Sequence, residues 1–177
     1  MVDKTLILRK LAELEGYLAQ IKEYQEITVE QYSRDWKIQR IIERTLQMMI
    51  ETCVDIAGHI ISDSGYRAPK SYSDTFKVLN EAGVLNEMHF ERMSNMAKFR
   101  NVVVHHYDRV DSEIVVHILK NNLNDFSDFK DTIINELKSI EQDNPTNPNN
   151  PTNPSNPKNS SPKGEFFSPF PVGDNNT

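Results

Sequence analysis

From Leu11 to Ile140 apolar residues return every three or four positions, and after Asp143 that pattern stops. A three-to-four spacing is the signature of one face of an α-helix, so most of the chain is confined to helices that need partners. Leu11, Leu14, Leu18 and Ile21 form one stripe on a helix expected over about 4–26, with Asp3 as its cap. After a break around Glu26–Tyr32, Ser33 and Asp35 offer caps for a second helix over about 34–62. That helix carries Trp36, Ile41, Ile42, Leu46, Met49, Ile50, Cys53, Ala57, Ile60 and Ile61, which put apolar groups on more than one side, as a central helix or one shared with a partner requires. A loop holding Pro69 leads to a short helix over about 74–82, closed by Gly83. Asn86 caps a helix over about 87–100 with Met88, Met93, Met96 and Phe99 inward, and Asp111 caps a last one over about 112–141. No segment alternates with period two between turn signals. The expected fold is therefore all-α, an antiparallel bundle of four to five helices.

The C-terminal stretch cannot join that bundle. Pro145, Pro148, Pro151, Pro154 and Pro157 recur at every third position, mostly as Asn-Pro, and eight of the nine prolines lie beyond residue 144. Such a sequence makes neither helix nor packed sheet and has little apolar surface to bury. The domain reading is a helical domain over 1–142 and a disordered Asn/Pro-rich tail over 143–177. Phe166, Phe167, Phe170 and Val172 near the end are read as part of that unstructured tail.

Charge and cysteine content narrow the function. A formal net charge of −6 excludes a protein that coats nucleic acid by bulk electrostatics, so any contact with RNA depends on a local basic patch. Arg92, Lys98, Arg100 and Arg109, with His105 and His106 among them, form such a patch. The single cysteine, Cys53, rules out an intramolecular disulfide and reads as a packed, inert thiol. No basic and apolar leader opens the chain, and no run of about 18 apolar residues could span a membrane. A cytoplasmic location without membrane attachment is expected.

The segment that carries chemistry is Arg100-Asn101-Val102-Val103-Val104-His105-His106-Tyr107. It reads Arg-x4-His-x-Tyr. Five residues along a continuous helix turn through about 500°, which leaves Arg100 and His105 about 140° apart. For the two to meet on one target, either the helix breaks within the valine spacer or a second subunit completes the site. Three successive valines are poor helix formers and make a break credible. The residue types suit metal-independent RNA cleavage. The ribose 2′-OH is a built-in nucleophile, histidine exchanges protons near neutral pH, and a guanidinium fork holds a phosphate and its extra transition-state charge. No cofactor is called for, and His59, His89 and His117 show no metal-ligand spacing.

On this motif and its helical setting, the chain resembles the HEPN superfamily, specifically the HepT-like toxins of HepT–MntA toxin–antitoxin pairs. The resemblance covers about residues 1–141. It implies a homodimer whose two motifs meet in a cleft, with Arg100 and His105 as the catalytic pair of an endoribonuclease acting on tRNA or mRNA. It also implies an MntA-like nucleotidyltransferase partner that neutralises the toxin by transferring AMP to Tyr107. Asn101 occupies the polar position often found after the motif arginine. His106, Arg40 and Arg44 are supporting or RNA-binding candidates, although Arg40 and Arg44 also fit a salt-bridged helix face, and Glu43 and Asp55 read as ordinary helix residues. Two other readings compete. One is a non-catalytic helical partner of a nucleotidyltransferase that binds nucleotide or RNA through the same groups. The other is a plain scaffold in which Arg100 pairs with Asp108 or Glu91.

Overall fold

The computed structural model describes residues 3–105 and 110–142. Seven helices and their links make up the described residues: α1 (Lys4–Lys22), α2 (Val29–Arg34), α3 (Trp36–Ser64), α4 (Tyr72–Glu81), α5 (Glu87–His105), α6 (Ser112–Asn121) and α7 (Leu123–Gln142). The fold is an all-α bundle. His106, Tyr107, Asp108 and Arg109 lie outside the described residues, as does the Asn/Pro-rich tail.

The caps act where the sequence placed them. Asp3 accepts a hydrogen bond from the Leu6 amide at the start of α1, Asp35 accepts from Lys37 and Ile38 at the start of α3, and Asn86 accepts from His89 at the start of α5. α3 is the central element: about 43 Å long, it packs against α1, α2, α4 and α5. Its buried residues, among them Ile42, Leu46, Met49, Ile50, Cys53, Ile56, Ala57 and Ile60, accordingly face several neighbours. It ends at Gly65, whose φ of 68° lies in the left-handed region that glycine adopts without strain. An edge-to-face contact between Phe76 and Phe129, 5.9 Å between centroids, joins α4 to α7.

Three boundaries depart from the sequence reading, each for a local reason. The break expected around Glu26–Tyr32 contains α2, nucleated by a capping box in which Thr28 and Gln31 each accept from the other's backbone amide. The long C-terminal helix is two: α6 ends at Asn121, and Asn122 turns its side-chain amide to Asp125 instead of continuing the helix. Most consequential, α5 runs on through the valine spacer to His105. Each valine costs a few tenths of a kcal/mol of helix propensity, but Val103 is buried, and burying a valine side chain is worth more than that cost.

Candidate active site

Arg100 leaves α5 toward α3 and α4, and its guanidinium is held from two directions. Nε and Nη2 both donate to Glu51 Oε1 on α3, at 2.9 and 2.5 Å. The guanidinium carbon lies 4.7 Å from the centre of the Tyr72 ring at the start of α4, a cation–π contact. The arginine side chain is only 16% exposed and Glu51 is 30% exposed. The Gln47 amide, one turn before Glu51, donates to the same Oε1 at 3.0 Å. Burial alone would raise the Glu51 pKa; the Gln47 and Arg100 hydrogen bonds and the charges of Arg100 and Arg44 outweigh it and hold the carboxyl below the usual carboxylate range. Glu51 thus stays ionised and takes two of the five N–H donors of a guanidinium. The rest of that fork is what a phosphate would use.

His105 is the last residue of α5 and is exposed, as is Asn101. With α5 unbroken, Arg100 and His105 leave one rod about 140° apart and about 7.5 Å along its axis. Of the two ways the sequence allowed them to converge, a break in the spacer is not the one the fold takes.

The remaining candidates separate. Arg44 is exposed on α3 and near enough to add to the field at Glu51. Arg40 instead donates to Glu43 at 2.8 Å. Glu43 is no ordinary helix residue: it is buried and also accepts from the Tyr32 hydroxyl at 2.8 Å, and burial together with that bond pushes the phenol pKa far up. Asp55 carries the Lys10 ammonium at 3.0 Å. His89 and His117 hydrogen-bond Thr132 and Asn121. Cys53 is wholly buried, which raises its thiol pKa and makes it unreactive. His106 and Tyr107 lie outside the described residues.

Sequence reasoning missed Glu51 and Tyr72. Only the competing scaffold reading gave Arg100 a partner, Asp108 or Glu91; among the described residues the carboxylate it bonds is Glu51, 49 residues away on another helix. The one available hint was Gln47 and Glu51 at i and i+4 on the most buried helix, where a carboxylate needs a partner.

An arginine five residues before a histidine on one helix of an all-α bundle is the setting that the resemblance to the HEPN class implies. A family model, ribonuclease HepT-like, matches residues 14–133, and the chain belongs to that family. It is similar to the mRNA nuclease HepT of Shewanella oneidensis, 29% identical over 122 residues that make up 68% of this chain and 90% of that protein. It is also similar to the tRNA nuclease HepT of Aphanizomenon flos-aquae, 28% identical over 112 residues, 62% of this chain and 75% of that one. Among solved structures, the tri-AMPylated HEPN toxin of Shewanella oneidensis in complex with its MNT antitoxin superposes with a TM-score of 0.69 at 29% identity. That match covers 76% of this chain and 99% of the other. No helix among the described residues is long and apolar enough to cross a membrane.

Proposed function

We propose that this chain is the toxin of a toxin–antitoxin pair, a metal-independent endoribonuclease whose site is completed by two copies of α5 in a homodimer. Arg100 binds the scissile phosphate and stabilises the charge that builds on it. The ribose 2′-oxygen attacks phosphorus, the bond to the 5′-oxygen breaks, and His105 takes the 2′-OH proton or protonates the departing 5′-oxygen. The products are a 2′,3′-cyclic phosphate and a 5′-hydroxyl. The observation that carries this reading is the anchoring of Arg100 on Glu51 and Tyr72, which holds a charged fork in a fixed pose before substrate arrives. The two-chain site is supported by the unbroken α5 and by exposed apolar residues beside it: Val102 on α5, and Ile114, which shares a pocket with Phe99.

By likeness to the AMPylated relative in complex with its antitoxin, silencing comes from an MntA-like nucleotidyltransferase that transfers AMP to Tyr107. The added phosphate places negative charge where the RNA phosphate must bind.

The test is cleavage of tRNA and mRNA by the purified chain in EDTA. Wild type cleaves, and Arg100→Ala and His105→Ala do not. Mixing the two inactive variants restores cleavage, because a mixed dimer retains one site with both groups. RNA left intact by wild type would reassign the chain to a non-catalytic nucleotidyltransferase partner. Co-expression with the cognate nucleotidyltransferase adds one or more AMP groups, and mass spectrometry locates one on Tyr107.

A further inference from the structure

Beside the Arg100 clamp lies an open groove of about 620 Å³, within the size range of ligand sites. One wall is a single face of α3, with Val54, Asp55, Gly58 and His59; Lys70 and Tyr72 form part of the other. Tyr72 is common to both features: it lines the groove and also supports the Arg100 guanidinium. Glu51 is three residues before Val54 on the same stripe, so Gly58 lies about 10 Å along α3 from the anchor of Arg100, two helical turns away.

Gly58 shapes the floor of the groove. It sits well inside a 29-residue helix, where glycine is the worst former after proline. Its φ is not positive, and a Cβ built there would meet nothing within 4 Å. Neither backbone strain nor packing within the chain demands a glycine here, and its lack of a side chain leaves that part of the groove floor flat. The groove's chemistry indicates what approaches. Lys70 is exposed at the rim, Asp55 has its charge met by Lys10, and His59 and Tyr72 are flat rings. A cation for a phosphate, with rings that stack on any base, is a means by which proteins hold single-stranded nucleic acid.

We propose that this groove seats the RNA strand flanking the scissile phosphate, with Lys70 on its backbone, Tyr72 and His59 against its bases, and the sugar–phosphate chain passing over Gly58. The proposal rests on the ribonuclease reading above and extends it to the substrate path.

The test exploits the single buried cysteine. Gly58→Cys introduces one accessible thiol into the full chain, while Cys53 stays unreactive under native conditions. Unlabelled Gly58→Cys sets the reference rate on single-stranded RNA, itself lowered by the side chain now beneath the strand. Coupling the introduced thiol to a bulky maleimide lowers kcat/KM about tenfold or more, the order of one stacked base lost. A non-cleavable 2′-deoxy version of the same strand slows the alkylation. In the unlabelled chain, Lys70→Glu weakens binding and flattens the log–log salt dependence by about 0.7, one phosphate contact. Full cleavage by labelled protein overturns the groove and leaves the ribonuclease reading intact. Protection of the thiol by the strand, in a chain that cleaves nothing, upholds the groove and overturns the ribonuclease. Protection by a cognate nucleotidyltransferase and not by the strand gives the groove to a protein partner and overturns the RNA path.

Discussion

Two glutamates on α3, eight residues apart, each bind an arginine, and a tyrosine stands at each pair, but the two trios are built inside out relative to one another. At Glu43 the carboxylate is the buried member, 7% exposed, and Arg40 reaches it from the surface at 54% exposure. The fully buried Tyr32 completes that set by donating to the acid. At Glu51 the arginine is the more buried member, and its tyrosine, Tyr72, stacks on the guanidinium instead of bonding the acid. A buried carboxylate whose donors are inside the fold is a requirement of stability. A guanidinium anchored on one edge, still charged and still reachable, is a requirement of binding. Under the proposed chemistry, similar residue types with their burial exchanged would divide structure from function along one helix.

That division can be broken by mutation. The largest effect is expected at Arg100→Ala, which should lower kcat about 10²- to 10³-fold, the cost of losing one charge-stabilising group. Its melting temperature should change little, because Glu51 is partly exposed and keeps Gln47. A large loss of stability there would make the second trio structural and erase the contrast. Next comes Tyr32→Phe, which strips a donor from a buried carboxylate and should cost about 1–3 kcal/mol in denaturant unfolding while leaving cleavage per folded molecule unchanged. Glu51→Gln keeps an acceptor for the guanidinium but removes its charge. It should reduce kcat/KM about tenfold, with Glu51→Ala worse, and the difference between them separates positioning from simple packing.

Acid should sharpen the same contrast, on a smaller scale. The Glu51 carboxyl sits below its ordinary range when folded, so its stabilising contribution is complete above the unfolded value and lost as pH falls through the folded one. The gap in melting temperature between wild type and Glu51→Gln should therefore narrow from about pH 6 toward about pH 3, around the glutamate range. A gap that widens in acid contradicts the assignment. The smallest effect is expected at Arg40→Gln, under about 1 kcal/mol in the same unfolding assay, because most of that arginine is in water.

The fold was legible because helix periodicity and caps are local: Asp3, Asp35 and Asn86 each act within three residues of themselves. Arg100 was legible through its spacing to His105 and Tyr107. What holds Arg100 was not, since Glu51 and Tyr72 reach it from other helices, and sequence spacing carries no record of such meetings. The valine spacer misled in the opposite way. Propensity favoured a break there, and the burial of Val103 decided the matter for the helix. Thr28 and Gln31 could have been read in advance as a capping box, but a six-residue helix leaves too short a stripe for periodicity to register.

The unbroken α5 has one more consequence under the proposed chemistry. A rigid rod with its phosphate holder on one side and its proton carrier on another works only in pairs, so output per molecule should collapse on dilution below the self-association constant. A freshly made toxin would then be harmless while scarce and would become dangerous over a narrow rise in abundance, a threshold set by mass action before any antitoxin acts.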